Sequence, residues 1–144
     1  LMRVVGFAGG GGPESRERRQ LVAAEKRIAV IGAGLMGHGI AQIFAGKGWR
    51  VSLMDVDEAI LAKACQGIRA NLTMLAEKGI GRTADVEPAL ARIKTTLRLE
   101  EAAEGASLVI EAVAEKLDLK QELFRKLDAM CPSGTFLATN TSVI

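Results

Sequence analysis

At 144 residues, with 49% hydrophobic and 25% charged side chains, the chain has the size and composition of one globular domain, which excludes a disordered tail or a disulfide-dense miniprotein. The net charge of +2 resides in residues 1–24, where four arginines face two glutamates; from residue 25 onward fifteen basic side chains balance fifteen acidic ones. That balance, with four Phe, one Trp and no Tyr, argues against a nucleic-acid surface. Cys65 and Cys131 stand far apart without a CxxC or Cys/His spacing, so no metal site is expected and a reducing, cytoplasmic compartment fits.

Gly9–Gly12, Pro13 and the Arg/Glu run after them read as a flexible leader over residues 1–24, and the initial Leu suggests a fragment of a longer protein. Lys26–Ile31 (KRIAVI) predicts a buried strand, and Leu35–Gly46 a helix with Ile40, Ile43 and Phe44 on one face. The nineteen uncharged residues Ile28–Gly46 just reach the length of a membrane span, but the glycines at 32, 34, 37, 39 and 46 favour strand, turn and helix. Arg50–Met54 (RVSLM) predicts the second strand. A long helix from Asp57 to Lys78 follows, with Ile60, Leu61, Ala64, Ile68, Leu72 and Leu75 at helical spacing. Its length, about 33 Å, exceeds a simple crossover, so it is expected to project as one limb of a helical hairpin.

Gly79–Gly81 breaks that helix. The second limb is expected to carry Val86, Leu90 and Ile93, with Pro88 in its first turn and Asp85 as N-cap. Lys94–Arg98 predicts the third strand and a short acidic helix leads to Gly105; Ser107–Glu111 (SLVIE) predicts the fourth strand. Leu119–Met130 reads as a helix capped by Asp118, with Gln121 at the capping-box position and an apolar stripe of Leu119, Leu123, Leu127 and Met130. Thr135–Thr139 predicts the fifth strand. Alternating strands and helices of this kind predict an α/β fold, a doubly wound parallel sheet of Rossmann type with a helical-hairpin insertion after the second strand.

The chemistry concentrates at Gly32-Ala33-Gly34-Leu35-Met36-Gly37, a GxGxxG run between the first strand and the helix after it. Gly32 allows the tight turn, Gly34 lets the backbone approach a pyrophosphate, and Gly37 lets helix and strand pack closely; the helix N-terminus offers N–H groups to the anion. Asp55, directly after the second strand, is placed to accept hydrogen bonds from ribose hydroxyls and to repel a 2′-phosphate, which favours NAD over NADP. His38, the sole histidine, lies beside the phosphate turn, away from where hydride transfer occurs, and is expected to have a polar or packing role. Glu111 and Glu115 lie at the ligand-binding edge of the sheet; taken alone, each reads as a solvated or capping carboxylate. Asn140-Thr141-Ser142 at the same edge suits a polar ligand or a turn.

Together the segments IAVIGAGLMGHGIAQIFAGKGWRVSLMDVD, LVIEAVAEKLDLKQELFRKLD and FLATNTS, in that order with the hairpin between the first two, resemble the N-terminal half of the L-3-hydroxyacyl-CoA dehydrogenases, 3-hydroxybutyryl-CoA dehydrogenases included. The resemblance runs from Lys26 to Ile144. It implies that Gly32, Ala33, Gly34, Leu35, Met36, Gly37 and Asp55 bind NAD and that Ala112, Glu115 and Lys120 line the cofactor site. It implies that Ser142 meets the substrate near the nicotinamide, as the one catalytic-site residue on this chain, and that Lys78 contacts coenzyme A. Asn71 stands where some members have serine. The implied reaction oxidises (S)-3-hydroxyacyl-CoA to 3-ketoacyl-CoA in fatty-acid β-oxidation or short-chain acyl-CoA metabolism. In the family the histidine base, its orienting glutamate and a helical dimerisation domain lie downstream of the TNTS motif. The chain is therefore expected to bind cofactor without turnover, as part of a homodimeric parent. Two alternatives stand beside this reading: the related L-gulonate 3-dehydrogenase and lambda-crystallin branch, and an NAD(H)-binding module without a reaction.

Overall fold

A computed structural model describes residues 26–140. Five strands, β1 (Arg27–Ile31), β2 (Arg50–Met54), β3 (Ile93–Thr96), β4 (Leu108–Glu111) and β5 (Phe136–Thr139), form one sheet in the order β3-β2-β1-β4-β5, each neighbouring pair parallel. Between them run α1 (Leu35–Gly46), α2 (Glu58–Glu77), α3 (Val86–Ala91), α4 (Leu99–Ala103) and α5 (Leu117–Met130), with a 3-10 turn at Thr83–Asp85 ahead of α3. This is the doubly wound Rossmann-type architecture that the alternation of strands and helices predicts.

Strand β1 sits at the centre, and its alternation builds both halves of the core. Ile28 and Val30 join Val51, Leu53 and the α1 and α2 residues Ala41, Ala45, Leu61, Ala64 and Ile68 on one face. Ala29 and Ile31 join Val109, Ala102, Leu123 and Leu127 from β4, α4 and α5 on the other. A parallel strand covered on both faces must be apolar throughout, which is why IAVI is uninterrupted. Each fully buried Ile, Leu or Val of this core contributes roughly 1.5–3 kcal/mol.

Several local expectations change in three dimensions. On α1 the buried stripe is Gly37, Ala41 and Ala45, spaced four apart, so small residues bring the helix close to the sheet. Ile43, two positions from Ala41 and so about 200° round the helix, points outward and is exposed, contrary to the expected Ile40–Ile43–Phe44 face. Ile60 at the start of α2 is exposed as well. Asp57 caps α2 by accepting from the Ala59 N–H at 2.8 Å. The buried residues of α2 all lie in its first three turns, Leu61, Ala64 and Ile68; beyond them the helix is at most half-buried. The second limb is shorter than expected, a 3-10 turn and six helical residues, and Ile93 belongs to β3 instead. Asp85 occupies the N-cap position of α3 but makes no side-chain cap bond, because Arg82 takes both of its carboxylate oxygens at 2.7 and 2.9 Å.

Helix α5 shows the largest departure. It begins two residues early with Lys116 at the N-cap, so Asp118 lies inside the first turn and forms no capping box with Gln121. The helix is rotated so that Lys120, Leu123 and Leu127 face the sheet, while Leu119, 47% exposed, and Met130 do not. A lysine replaces a leucine on the buried stripe, and its partners are described below. Among the described residues no helix is long and apolar enough to cross a membrane. The leader, residues 1–24, lies outside the described residues, as does Ser142.

Candidate functional site

The strand order reverses at the β1–β4 boundary: from β1 the chain adds β2 and β3 on one side, then β4 and β5 on the other. Open parallel sheets bind ligands in the crevice at the carboxyl ends of the strands at such a reversal. The loops on either side of this crevice are the glycine turn after β1 and the Ala112–Lys116 loop after β4.

The glycine turn is fixed by sterics. Gly32 has φ +103°, and a Cβ there would lie 2.6 Å from the Ala112 carbonyl oxygen. A Cβ on Gly37 would lie 1.7 Å from the Gly32 carbonyl oxygen, so the first turn of α1 can sit against the end of β1 only with glycine at both positions. Gly34 differs: a Cβ there meets nothing within 4 Å. Packing does not require glycine at Gly34; what it provides is an open backbone at the N-cap of α1. No side chain caps that helix, whereas Asp57 caps α2. Leu35 and Met36 are exposed, Leu35 by 81%, and as the first residues of α1 their backbone N–H groups have no partner within the helix. An uncapped helix N-terminus behind an unobstructed glycine fits the pyrophosphate of a dinucleotide.

Asp55 follows β2 and reaches the same turn. Its Oδ2 accepts from the Ala33 N–H at 2.8 Å and its Oδ1 from the Val56 N–H at 2.7 Å. These bonds hold the carboxylate at the glycine turn with lone pairs remaining on each oxygen. The next side chains, Val56, Asp57 and Glu58, are exposed and supply no cation to meet a 2′-phosphate. The sole histidine, His38, packs its imidazole over Gly67 of α2, where a Cβ would lie 3.6 Å from Nε2. That location suits packing between helices, in keeping with the role expected of it.

Across the crevice the site is built of charged side chains. Ala112 donates to the Ile31 carbonyl at 2.8 Å, tying the β4 loop to β1. Lys120 is buried, and its ammonium lies 3.2 Å from Glu111 and 3.2 Å from Glu115. Glu115 is 60% exposed at its side chain and Glu111 is 0% exposed. Burial works against the charge of Lys120, but hydrogen bonds and charge from Glu115 and Glu111 outweigh it and raise its pKa above the ordinary value. Glu111 further accepts from the Val113 N–H at 2.7 Å and from the Thr139 hydroxyl. Glu111 is therefore a buried hub and not the solvated or capping carboxylate that its sequence position suggests. One signal in the sequence did mark it: Leu108, Val109 and Ile110 read as a strand buried on both faces, and a carboxylate extending that run demands partners.

The remaining expected residues lie apart from these two edges. Asn71, two-thirds of the way along α2, donates its side-chain N–H to the Gln42 side chain of α1 at 3.1 Å, fastening the hairpin to the body, a contact the sequence did not reveal. Lys78 is exposed at the C-cap of α2, two turns farther on, where its charge also suits the helix dipole. Other chemistries find little support. Burial pushes the Cys65 and Cys131 thiols up, away from thiolate nucleophiles, and no group of metal-ligating side chains occurs among the described residues.

Comparison with known proteins agrees with this geometry. Residues 27–144 match the family model described as the NAD-binding domain of 3-hydroxyacyl-CoA dehydrogenase. The chain is 43% identical over 117 residues to the probable 3-hydroxybutyryl-CoA dehydrogenase of Bacillus subtilis, covering 81% of this chain and 40% of that protein. It is 42% identical over 122 residues to the mitochondrial hydroxyacyl-coenzyme A dehydrogenase of Rattus norvegicus, covering 81% and 39%. The crystal structure of (S)-3-hydroxybutyryl-CoA dehydrogenase from Ralstonia eutropha superposes with a TM-score of 0.78 at 34% identity, over 83% of this chain and 42% of that one. The chain spans about two-fifths of the length of the curated relatives it matches.

Proposed function

Starting from the fact that the chain belongs to the 3-hydroxyacyl-CoA dehydrogenase family as its NAD-binding domain, we propose that residues 25–144 form the cofactor half of an enzyme oxidising (S)-3-hydroxyacyl-CoA to 3-ketoacyl-CoA. The observation that carries this reading is the convergence of three groups at the sheet reversal: the open Gly34, the uncapped N-terminus of α1, and the Asp55 carboxylate anchored to Ala33.

In this reading the N–H groups of Leu35, Met36 and Gly37 hold the pyrophosphate, and Asp55 accepts the adenosine ribose hydroxyls. Ala112, Glu115 and Lys120 line the nicotinamide half. Bound NAD supplies the acceptor for the hydride leaving the 3-hydroxyacyl carbon. Ser142 orients the substrate beside it. The chain's own histidine packs between helices, so the proton of the 3-hydroxyl goes to a base that the family carries downstream of TNTS. Lys78 and Asn71 place the hairpin beside coenzyme A, Lys78 acting as a point charge toward phosphate. Two unpaired thiols suit a reducing, cytoplasmic setting, and the parent enzyme assembles as a homodimer.

Parallel titrations of this chain with NADH and NADPH test the cofactor assignment, read through Trp49, which packs edge-on against Phe44 at 5.2 Å. Saturable NADH binding with much weaker NADPH binding is expected, and equal affinities would overturn the role given to Asp55. The chain should not reduce acetoacetyl-CoA; appreciable turnover would overturn the assignment of the base. Activity of the whole protein on a hydroxyacyl-CoA and not on a sugar acid separates this reading from the L-gulonate 3-dehydrogenase branch.

A further inference from the structure

Glu111 has no place in the reading above, yet it is the most buried charged group among the described residues. Its four partners come from three different segments. The side chain accepts from the Val113 N–H in the loop after β4, from the Lys120 ammonium in the first turns of α5, and from the Thr139 hydroxyl at the end of β5. Its backbone carbonyl accepts from the Asn140 N–H at 2.8 Å, beyond β5. Every segment that borders the β4–β5 side of the crevice is thus tied to this one residue.

Stability alone does not account for such a choice. A buried ion pair repays its desolvation only with good geometry, and apolar side chains of similar volume serve a core as well or better. Here the ion pair does something an apolar pair cannot: it gives the buried stripe of α5, which Leu123 and Leu127 continue, a directional charged contact to the end of β4. Lys120 turns inward in place of Leu119, which stays 47% exposed. The ammonium is then shared between a fully buried carboxylate and Glu115 at the rim, 60% exposed.

We propose that Glu111 is a positioning residue for the nicotinamide half of the cofactor site, acting through Lys120 and the Val113 loop and touching no ligand itself. This rests on the reading in which Glu115 and Lys120 line that half. Among the described residues, neutralising Glu111 leaves Glu115 at the rim as the charged carboxylate beside Lys120, and the ammonium is drawn toward it.

The test compares two ligands on this chain by calorimetry: NADH, which spans both halves, and ADP, which occupies only the adenosine–pyrophosphate half. Glu111→Gln keeps size and most hydrogen bonds while removing the charge. It is expected to weaken NADH about tenfold, the loss of one charged hydrogen bond, with ADP within about threefold of the unmodified chain. Lys120→Met is expected to do the same, and the double variant should bind NADH no more weakly than Lys120→Met. If Glu111→Gln leaves both affinities unchanged, or weakens both equally, while Lys120→Met weakens NADH alone, the positioning role is overturned and the cofactor reading survives. If Lys120→Met leaves the NADH-to-ADP ratio unchanged, or the folded unmodified chain binds neither ligand, the cofactor reading fails and the positioning role with it. Should Glu111→Gln fail to fold, Thr139→Val removes another of the carboxylate's supports without changing a charge. It should move the same ratio in the same direction by about threefold, and an unchanged ratio would overturn the proposal.

Discussion

The two edges of the crevice are built on opposite principles. The β1–α1 edge is made of backbone: three glycines, uncapped N–H groups and one anchored carboxylate, Asp55. The β4–α5–β5 edge is made of side chains, with Lys120 held between Glu111 and Glu115 and Thr139 closing the cluster. On the first edge position is set by hard-sphere contacts, which admit no alternative. On the second it is set by hydrogen bonds and charge between residues as far apart as Glu111 and Thr139, and so depends on protonation and on each partner's presence. The comparison teaches that one crevice can have a sterically locked half and an electrostatically held half, which respond to different perturbations.

The strongest way to break the steric edge is Gly37→Ala. The new Cβ would fall 1.7 Å from a backbone carbonyl, which no rotamer change relieves, so α1 must leave the sheet. No cooperative thermal transition is expected by circular dichroism, and a near-normal melting curve would refute the steric account. On the electrostatic edge, Glu111→Ala opens a cavity, breaks the buried half of the Lys120 ion pair and takes away the acceptor of the Val113 N–H, and should cost about 3–5 kcal/mol in urea denaturation. A cost under about 1 kcal/mol would mean that water replaces the carboxylate without penalty.

Asp55→Ala is expected to preserve the fold and remove about 1.5–3 kcal/mol of NADH affinity, while narrowing the preference over NADPH. Gly34→Ala sharpens the contrast with Gly37, because nothing lies within 4 Å of the added methyl group. Its stability should stay within about 1 kcal/mol of the unmodified chain, and even rise, while NADH binding weakens because the methyl group stands where the pyrophosphate must approach. Unchanged NADH binding would show that Gly34 does not face the cofactor.

The subtlest effect is the pH dependence of the electrostatic edge. The pKa of Lys120 in the folded chain is raised above its ordinary 10.5. A raised folded pKa means that the stabilisation is complete below the unfolded lysine value and is lost as pH climbs through the folded one. The stability difference between the unmodified chain and Lys120→Met should therefore be flat through neutral pH and shrink only on the alkaline side. A difference that shrinks between pH 6 and 8 would contradict the ion pair.

How much was legible without coordinates follows the same division. GxGxxG, the strand before it, the acid after the next strand and the start of the long helix at Asp57 all express local geometry, and each occurs where the sequence indicates. Asp85 and Asp118 show where local rules fail: each has the residue type of a cap, but Arg82 occupies the first and the second lies inside a helix that starts earlier. Ile43 and Leu119 were expected on buried stripes and are exposed, because periodicity identifies a helix and its apolar residues without choosing between adjacent stripes.

The order of strands and helices, the glycine turn and the place of the acid after the second strand are determined by the sequence itself, since steric exclusion and hydrophobic period act over a few residues. The inward turn of Lys120, the burial of Glu111 and the fastening of Asn71 to Gln42 were decided only by the tertiary structure. Each depends on partners brought together by the parallel crossovers, and the cost of burying a charge or an amide can be offset only once those partners have met.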